Sequence, residues 1–275
     1  MKDKISLAGD LGSGKSTVSD ILIERLGAEY YSTGRIVRDI ASRRGMSVVE
    51  LNEYMETHPE IDHEIDDGLK ALSEVDKLLI IDSRMAWHFT KGTFKVYLSC
   101  DTEVSALRIM GANRQGEHSA TLEETVAETK RRRESEKKRY MEQYGVDIKD
   151  LSNYSLILDT TYATPAEVAE ALIYAFGEWQ ADKTYREVLI SPERLNYADD
   201  CADVWAVQAF AEKLDAGEDV PPVTVFERDG EFFVRDGVET VLAYAINMER
   251  FIPASLVSAP VNDDGVKYVR MKNSL

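Results

Sequence analysis

Apolar and polar positions alternate at Ile5 and Leu7, give way to the glycine-rich stretch Gly9 to Gly14, and then take a helical spacing from Thr17 to Leu26. A period of two, a turn and a period near 3.6 read as strand, loop and helix. A short strand then delivers Ser32-Thr33-Gly34, and a helix follows through Arg38 and Ile40 to Arg44. Residues 46–76 read as wholly helical: Ile61 and Ile65 stand four apart within Glu60 to Asp67, which predicts one amphipathic helix with a solvated acidic face. Leu78 to Ile81 is a continuous apolar run closed by Asp82, the pattern of a buried parallel strand. Phe94 to Ser99 reads as another strand, followed by a helix with Glu103, Arg108 and Ile109, and Gly111 to Ser119 as a mobile loop. After a charged helix around residues 130–140, Tyr154 to Thr161 is predicted to be the last strand of the sheet, with a helix from Pro165 to about Trp179. Strands alternating with helices predict an α/β fold built on a doubly wound parallel sheet.

The pattern breaks at Glu178 to Thr184, which places a domain boundary near residue 182 and divides the chain into 1–181 and 182–275. The second part reads as a strand (Glu187 to Ile190), a helix (Ala202 to Ala216), Pro221-Pro222, two strands around Asp229-Gly230, a helix from Val238 to about Asn247 and a strand near Ala254 to Val257. Asp-Gly between Phe226 and Phe232 is a hairpin signal, and the whole is a small α+β unit.

Composition narrows the partners. The net charge of −17 is shared as −8 in residues 181–275 and −9 in the rest, so neither part carries the positive field of a non-specific nucleic-acid binder. The two cysteines, Cys100 and Cys201, lie far apart and suggest a reducing compartment without a disulfide. No apolar run reaches membrane length, and a cytoplasmic protein is expected.

Candidate chemistry centres on Gly9-Asp10-Leu11-Gly12-Ser13-Gly14-Lys15-Ser16, a G-x-x-x-x-G-K-S/T pattern between a strand and a helix. Glycines let successive N–H groups converge on a phosphate chain, and the helix dipole favours its charge. Gly9, Gly12, Ser13, Gly14, Lys15, Ser16 and Thr17 are the candidate ATP-binding residues; Lys15 reaches the β- and γ-phosphates, and Ser16 with Asp82 is the candidate Mg²⁺ pair. The alternative is a chance glycine-rich turn. Arg132, Glu136 and Arg139 stand at i, i+4 and i+7, so they project from one helix face; a charge run is often only a solvated face, but two guanidiniums and a carboxylate together suit phosphoryl transfer. His63, among acids and without a second ligand at metal-binding spacing, reads as a surface residue.

The stretches GDLGSGKST, YSTGRIVRDIA, EIDHEID, IIDSRMAW and RRRESEKKRYMEQYGVDIKDLSNYSLILDTT resemble the cytidylate kinases, especially the compact type often found in archaea. The likeness covers Lys4 to about Phe176, and ESEKKRYMEQYGVDI is its most specific part. It implies transfer of the ATP γ-phosphoryl group to CMP or dCMP with Mg²⁺. By position, Arg38 and Arg84 match arginines that hold the acceptor phosphate, Arg132 and Arg139 match lid-helix arginines, Ser32 and Thr33 match the acceptor loop, and Glu136 stands near the acceptor nucleoside. Lys15, Arg84, Arg132 and Arg139 are then the candidate catalytic residues. Asp82-Ser83-Arg84 departs from a usual Glu-Gly-Arg, and Ser155 stands where an aspartate is common; both keep open a hydroxyl acceptor, on a modified nucleotide in DNA or a small metabolite. An inactive nucleotide-sensing module is a third reading.

PPVTVFERDGEFFVRDGVETVLAYA and FIPASLV resemble the ParB/sulfiredoxin-like fold. Where that family carries a basic pair for phosphate, this chain has Glu239 and Thr240, which argues against nucleotide hydrolysis or a second kinase activity there. The resemblance implies a degenerate module for regulation, substrate presentation or a protein or nucleic-acid partner; simple packing against the first part is the alternative.

Overall fold

The structure, a computed structural model, describes residues 3–111, 121–198, 202–260 and 266–271. The expected loop at 111–119, beyond its first residue, and Cys201 lie outside these residues. In chain order the elements are β1 (Lys4–Gly9), α1 (Lys15–Leu26), β2 (Glu29–Ser32), α2 (Thr33–Arg44), α3 (Val48–Met55), α4 (Glu60–Ala71), β3 (Leu79–Asp82), α5 (Ala86–Phe89), β4 (Thr93–Ser99), α6 (Thr102–Gly111), α7 (Leu122–Tyr144), β5 (Leu156–Asp159) and α8 (Pro165–Ala181). There follow β6 (Glu187–Ile190), β7 (Leu195–Ala198), α9 (Val204–Asp215), β8 (Val223–Arg228), β9 (Glu231–Asp236), α10 (Val238–Ile246), β10 (Ile252–Leu256) and β11 (Tyr268–Arg270).

All these strands belong to one sheet in the order β11-β7-β9-β8-β10-β6-β5-β4-β1-β3-β2. From β2 to β6 every pairing is parallel, which sets the carboxyl ends of β1, β3, β4 and β5 along one edge. β1 is buried along its whole length because helices cover both faces, hence its unbroken burial despite a partly alternating sequence. On one face Ile5, Leu7, Phe94, Val96 and Leu158 pack against Val18 and Leu22 of α1 and Val168, Leu172, Phe176 and Trp179 of α8. On the other, one apolar cluster runs from Ala8, Tyr97 and Ile157 to Val188, Val225, Phe232 and Val241.

Two readings change. β5 is not the last strand: β6 pairs with it in parallel (Ile157 opposite Val188), α8 forming the crossover, and β10 continues antiparallel to β6. Residues 46–76 form two helices and a short 3₁₀ turn (Leu72–Glu74) rather than one helix. The break falls at Glu56 to Pro59, since proline has no N–H for a preceding carbonyl and disfavours helical geometry in the residue before it. The bend turns Asp62 and Asp66, 3% and 4% exposed, inward toward α7 instead of into solvent.

Candidate active site

β1 ends in Gly9, and the chain turns through a loop that α1 enters at Lys15. Gly9 has φ 144° and Gly12 φ 75°; a Cβ on Gly9 would lie 2.3 Å from the Leu98 carbonyl oxygen, and one on Gly12 2.5 Å from that of Ser105. Only glycine lets this loop nest between β4 and the first turn of α6. Ser13 Oγ donates to the Asp10 carbonyl (2.8 Å), and Lys15 Nζ folds over the loop to the Gly9 and Asp10 carbonyls (3.1 and 2.8 Å). Gly14 precedes the helix without a side-chain cap, while Ser16 and Thr17 stand exposed in the first turn. Burial, reinforced by the charge of Arg84, pulls the Lys15 ammonium down to about 7.

Asp82 closes β3 beside β1 and accepts from Tyr30 OH (3.0 Å) and Ser32 Oγ (3.5 Å). Ser32 also caps α2, and Thr33 Oγ1 donates to the Asp82 carbonyl (3.4 Å). The Ser32-Thr33-Gly34 segment is thus the strand end and helix start rather than a loop. Burial and the Asp82 carboxylate push the Tyr30 phenol up to about 12, so it stays a donor to that acid.

Arg84 leaves the end of β3 to bind Glu136 of α7 (Nε to Oε2, 2.9 Å) and the Gly9 carbonyl. Arg132 Nε reaches the other Glu136 oxygen at 3.1 Å, so helix periodicity does place these side chains on one face. Against the cost of burial, Arg84, Arg132 and Arg139 hold the Glu136 carboxyl down to about 2. Arg139 sits deeper, paired with Asp62 (2.7 Å) and donating to the Asn52 carbonyl (3.0 Å).

A cavity of about 730 Å³ joins these groups, running from Gly12 to Ser16 past Thr33, Arg38, Asp82, Arg84, Arg132 and Glu136 to Arg139. Asp66, Leu69 and Tyr140 also line it. Burial raises the Asp66 carboxyl to about 6, and Tyr144 donates its hydroxyl to it. Of the sequence-predicted site residues, all but Ser32 and the exposed Thr17 line this cavity or build its loop; Ser32 instead holds Asp82 and caps α2, and His63 is exposed.

Sequence reasoning missed Tyr30, Asn52, Asp62 and Asp66. The acids share the i, i+4 spacing of Ile61 and Ile65, a signal that showed a second face without saying what covers it. Asp10 was also missed: its carboxylate accepts from Cys100 N and Tyr97 OH (3.0 Å each) and pairs with Lys149 and Arg133.

Residues 5–143, half of the chain, match the AAA domain family. A cytidylate kinase of Thermoplasma volcanium is 36% identical over 186 residues, covering 66% of this chain and 95% of the relative. One of Archaeoglobus fulgidus is 35% identical over 173 residues, covering 62% and 93%. The chain belongs to the cytidylate kinase family. An S-adenosylmethionine-dependent nucleotide dehydratase of Lacinutrix mariniflava is also 36% identical over 174 residues, but they make up only 36% of that protein. The family likeness lies in the N-terminal 65% or so of the chain, the part that holds the cavity.

Of the two departures, Ser83 lines the cavity between Asp82 and Arg84, and Ser155 does not. Ser83 is buried with Oγ accepting from Met85 N (3.2 Å), and Ser155 precedes β5, at the amino ends of the strands.

Proposed function

We propose that the protein transfers the γ-phosphoryl group of ATP to the phosphate of CMP or dCMP, releasing ADP and the nucleoside diphosphate. The observation that carries this reading is one cavity of about 730 Å³ that joins the phosphate loop to Arg38, Arg84, Arg132 and Glu136. Gly9 to Thr17 cradle the donor triphosphate, with Lys15 on the transferred group. Ser16 and Asp82, a hydroxyl and a half-buried carboxylate, form an all-oxygen pair suited to Mg²⁺, which when bound neutralises donor phosphate charge. Ser32 and Thr33 border the acceptor side, and Arg38 and Arg84 hold its phosphate. Arg132 and Arg139 bring positive charge to the in-line transfer, with Glu136 fixing the first of them. An acceptor phosphate oxygen attacks phosphorus as the bond to the ADP oxygen breaks; positioning and charge neutralisation supply the catalysis, and no covalent intermediate is needed.

Asp66 is the group we assign to the base. A carboxylate accepts hydrogens from the 4-amino group of cytosine and repels the carbonyl oxygen that uracil and thymine carry there. Asp66→Asn is expected to cut the CMP-over-UMP ratio of kcat/KM about 100-fold, because an amide can turn a donor toward uracil. The wild-type ratio should fall as pH drops through about 6, where Asp66 takes up its proton. A pH-independent ratio unchanged in Asp66→Asn would remove Asp66 from base selection. The alternative, a hydroxyl acceptor, was motivated by Ser83, Ser155 and the second part of the chain; of the two serines only Ser83 lines the cavity, and ATP turnover without transfer to any nucleoside monophosphate would favour it.

We read residues 182–275, whose proline, hairpin, Asp-Gly and helix order resembles the ParB/sulfiredoxin-like fold, as a non-catalytic module for regulation, substrate presentation or a partner. A cytoplasmic site of action suits the nucleotide substrates; no described helix is long and apolar enough to cross a membrane.

A further inference from the structure

Arg194 lies in the short 3₁₀ turn Pro192–Arg194, between β6 and β7, and is 0% exposed. A guanidinium out of water needs partners, and both of its aspartates belong to the carboxyl edge of the kinase sheet. It faces Asp101 (3.3 Å) and Asp159 (3.9 Å), with Glu231 of β9 at 3.9 Å, and donates to the Gly230 carbonyl (2.9 Å). Arg270 of β11 joins it, with Nη2 at 2.9 Å from the same Asp101 oxygen and Nε donating to the Glu193 carbonyl (3.3 Å).

Asp101 holds backbone that borders the phosphate loop, and Asp159 holds backbone that α6 ties down. Asp101 Oδ1 accepts from the N–H groups of Glu103 and Val104 (2.9 and 3.2 Å), fixing the first turn of α6. Ser105, in that turn, donates to the Leu11 carbonyl, and its own carbonyl is the atom a Cβ on Gly12 would strike. Asp159 holds Thr161 through N and Oγ1 (3.1 and 2.6 Å) and accepts from Ser191 N (3.3 Å). Arg108 of α6 ties down the Thr160 and Thr161 carbonyls (2.7 and 3.1 Å). One chain of contacts therefore runs from Arg270 and Arg194 through Asp101 and Asp159 to α6, and from α6 to Leu11 and Gly12.

We propose that Arg194 and Arg270 are positioning residues for the donor nucleotide: through Asp101 and Asp159 the C-terminal segment sets α6 against the phosphate loop. This rests on the phosphate loop being the ATP site, not on the identity of the acceptor. Arg194 and Arg270 touch neither substrate; they fix the wall against which the loop closes. The acceptor end of the cavity, on α2, α3 and α4, lies on the opposite side of the loop and is outside this chain of contacts.

The test is calorimetric binding of Mg²⁺-ATP and, separately, of CMP to the full-length wild type, Arg270→Ala, Arg270→Lys and Arg194→Met. Arg270→Ala, at a side chain one third exposed, should weaken ATP binding roughly tenfold with CMP affinity unchanged within about twofold, and Arg270→Lys should recover part of the loss. Arg194→Met should do at least as much if it folds; where circular dichroism shows that it does not, the Arg270 pair decides. Wild-type ATP affinity in Arg270→Ala, or equal losses for ATP and CMP, overturns the proposal. A wild type that binds ATP but not CMP would sink the acceptor reading above and leave this test standing on the ATP affinities of the two Arg270 variants.

Discussion

Helices α1 and α10 both begin behind a glycine in the left-handed region, Gly14 at φ 82° and Gly237 at φ 92°, and neither glycine supplies a side-chain cap. Each follows a strand and points unpaired N–H groups out of its first turn. Around α1 the next side chains are Lys15 and Ser16, at the mouth of a large polar cavity. Around α10 they are the apolar Val238 and then Glu239, which accepts from Asp203 N (3.3 Å), followed by Thr240, which donates to the Pro221 carbonyl (3.0 Å). The approach to α10 is also crowded, since a Cβ on Gly237 would come within 2.9 Å of the Pro222 carbonyl oxygen. The comparison teaches that a glycine and a helix dipole make a site only where a cation and open space accompany them. At α10 the Pro222 carbonyl crowds the helix start, and the acid in its first turn serves the start of α9 instead of a ligand.

The widest separation between the two helices should come from removing the lysine. Lys15→Ala is expected to lower phosphoryl transfer by about 10³-fold or more, whereas Glu239→Ala should leave kcat within about twofold of wild type. Steady-state ADP release reads both, and a large loss in Glu239→Ala would undo the contrast. A smaller effect follows from the depressed Lys15 ammonium. Donor phosphates favour its charged form, so above pH 7 binding requires proton uptake, and ATP affinity should fall by up to about tenfold per pH unit until the pKa of the bound form is reached. Lys15→Arg, which stays charged, should flatten that slope. The smallest effect belongs to α10: Glu239→Lys places a cation at a helix N-terminus and should cost about 0.5–1 kcal/mol, seen as a lower Tm with activity retained.

Local chemistry explains which features could be read in advance. The phosphate loop was legible because its glycines and lysine are dictated by backbone geometry within eight residues. Arg132 and Glu136 were legible because a helix's own period sets their face. Asp62 and Asp66 were not, because whether an acidic face meets water or a buried arginine depends on where α7 lies, and Pro59 redirects α4 to meet it. Tyr30 was hidden likewise: its partner Asp82 is a neighbour only through the β2 to β3 pairing. β7 and β11, four and three residues long, are too short for any periodicity to show. Arg194 reads as an ordinary charged residue near a proline until β6 joins β5 and carries it to Asp101 and Asp159. The break in pattern at Glu178 to Thr184 gave no sign that β6 pairs with β5 across it, because strand partners are set by the fold and not by the local sequence.

The central claim is transfer from ATP at the phosphate loop to a cytidine monophosphate held by the arginines. It is tested most directly by ADP release from Mg²⁺-ATP with CMP, dCMP, UMP, dTMP, AMP and GMP in turn, alongside Arg132→Ala. The account predicts turnover on CMP or dCMP well above the other four, reduced by about 10²-fold or more in the variant. No turnover on any of the six, or turnover that survives the loss of Arg132, would contradict it.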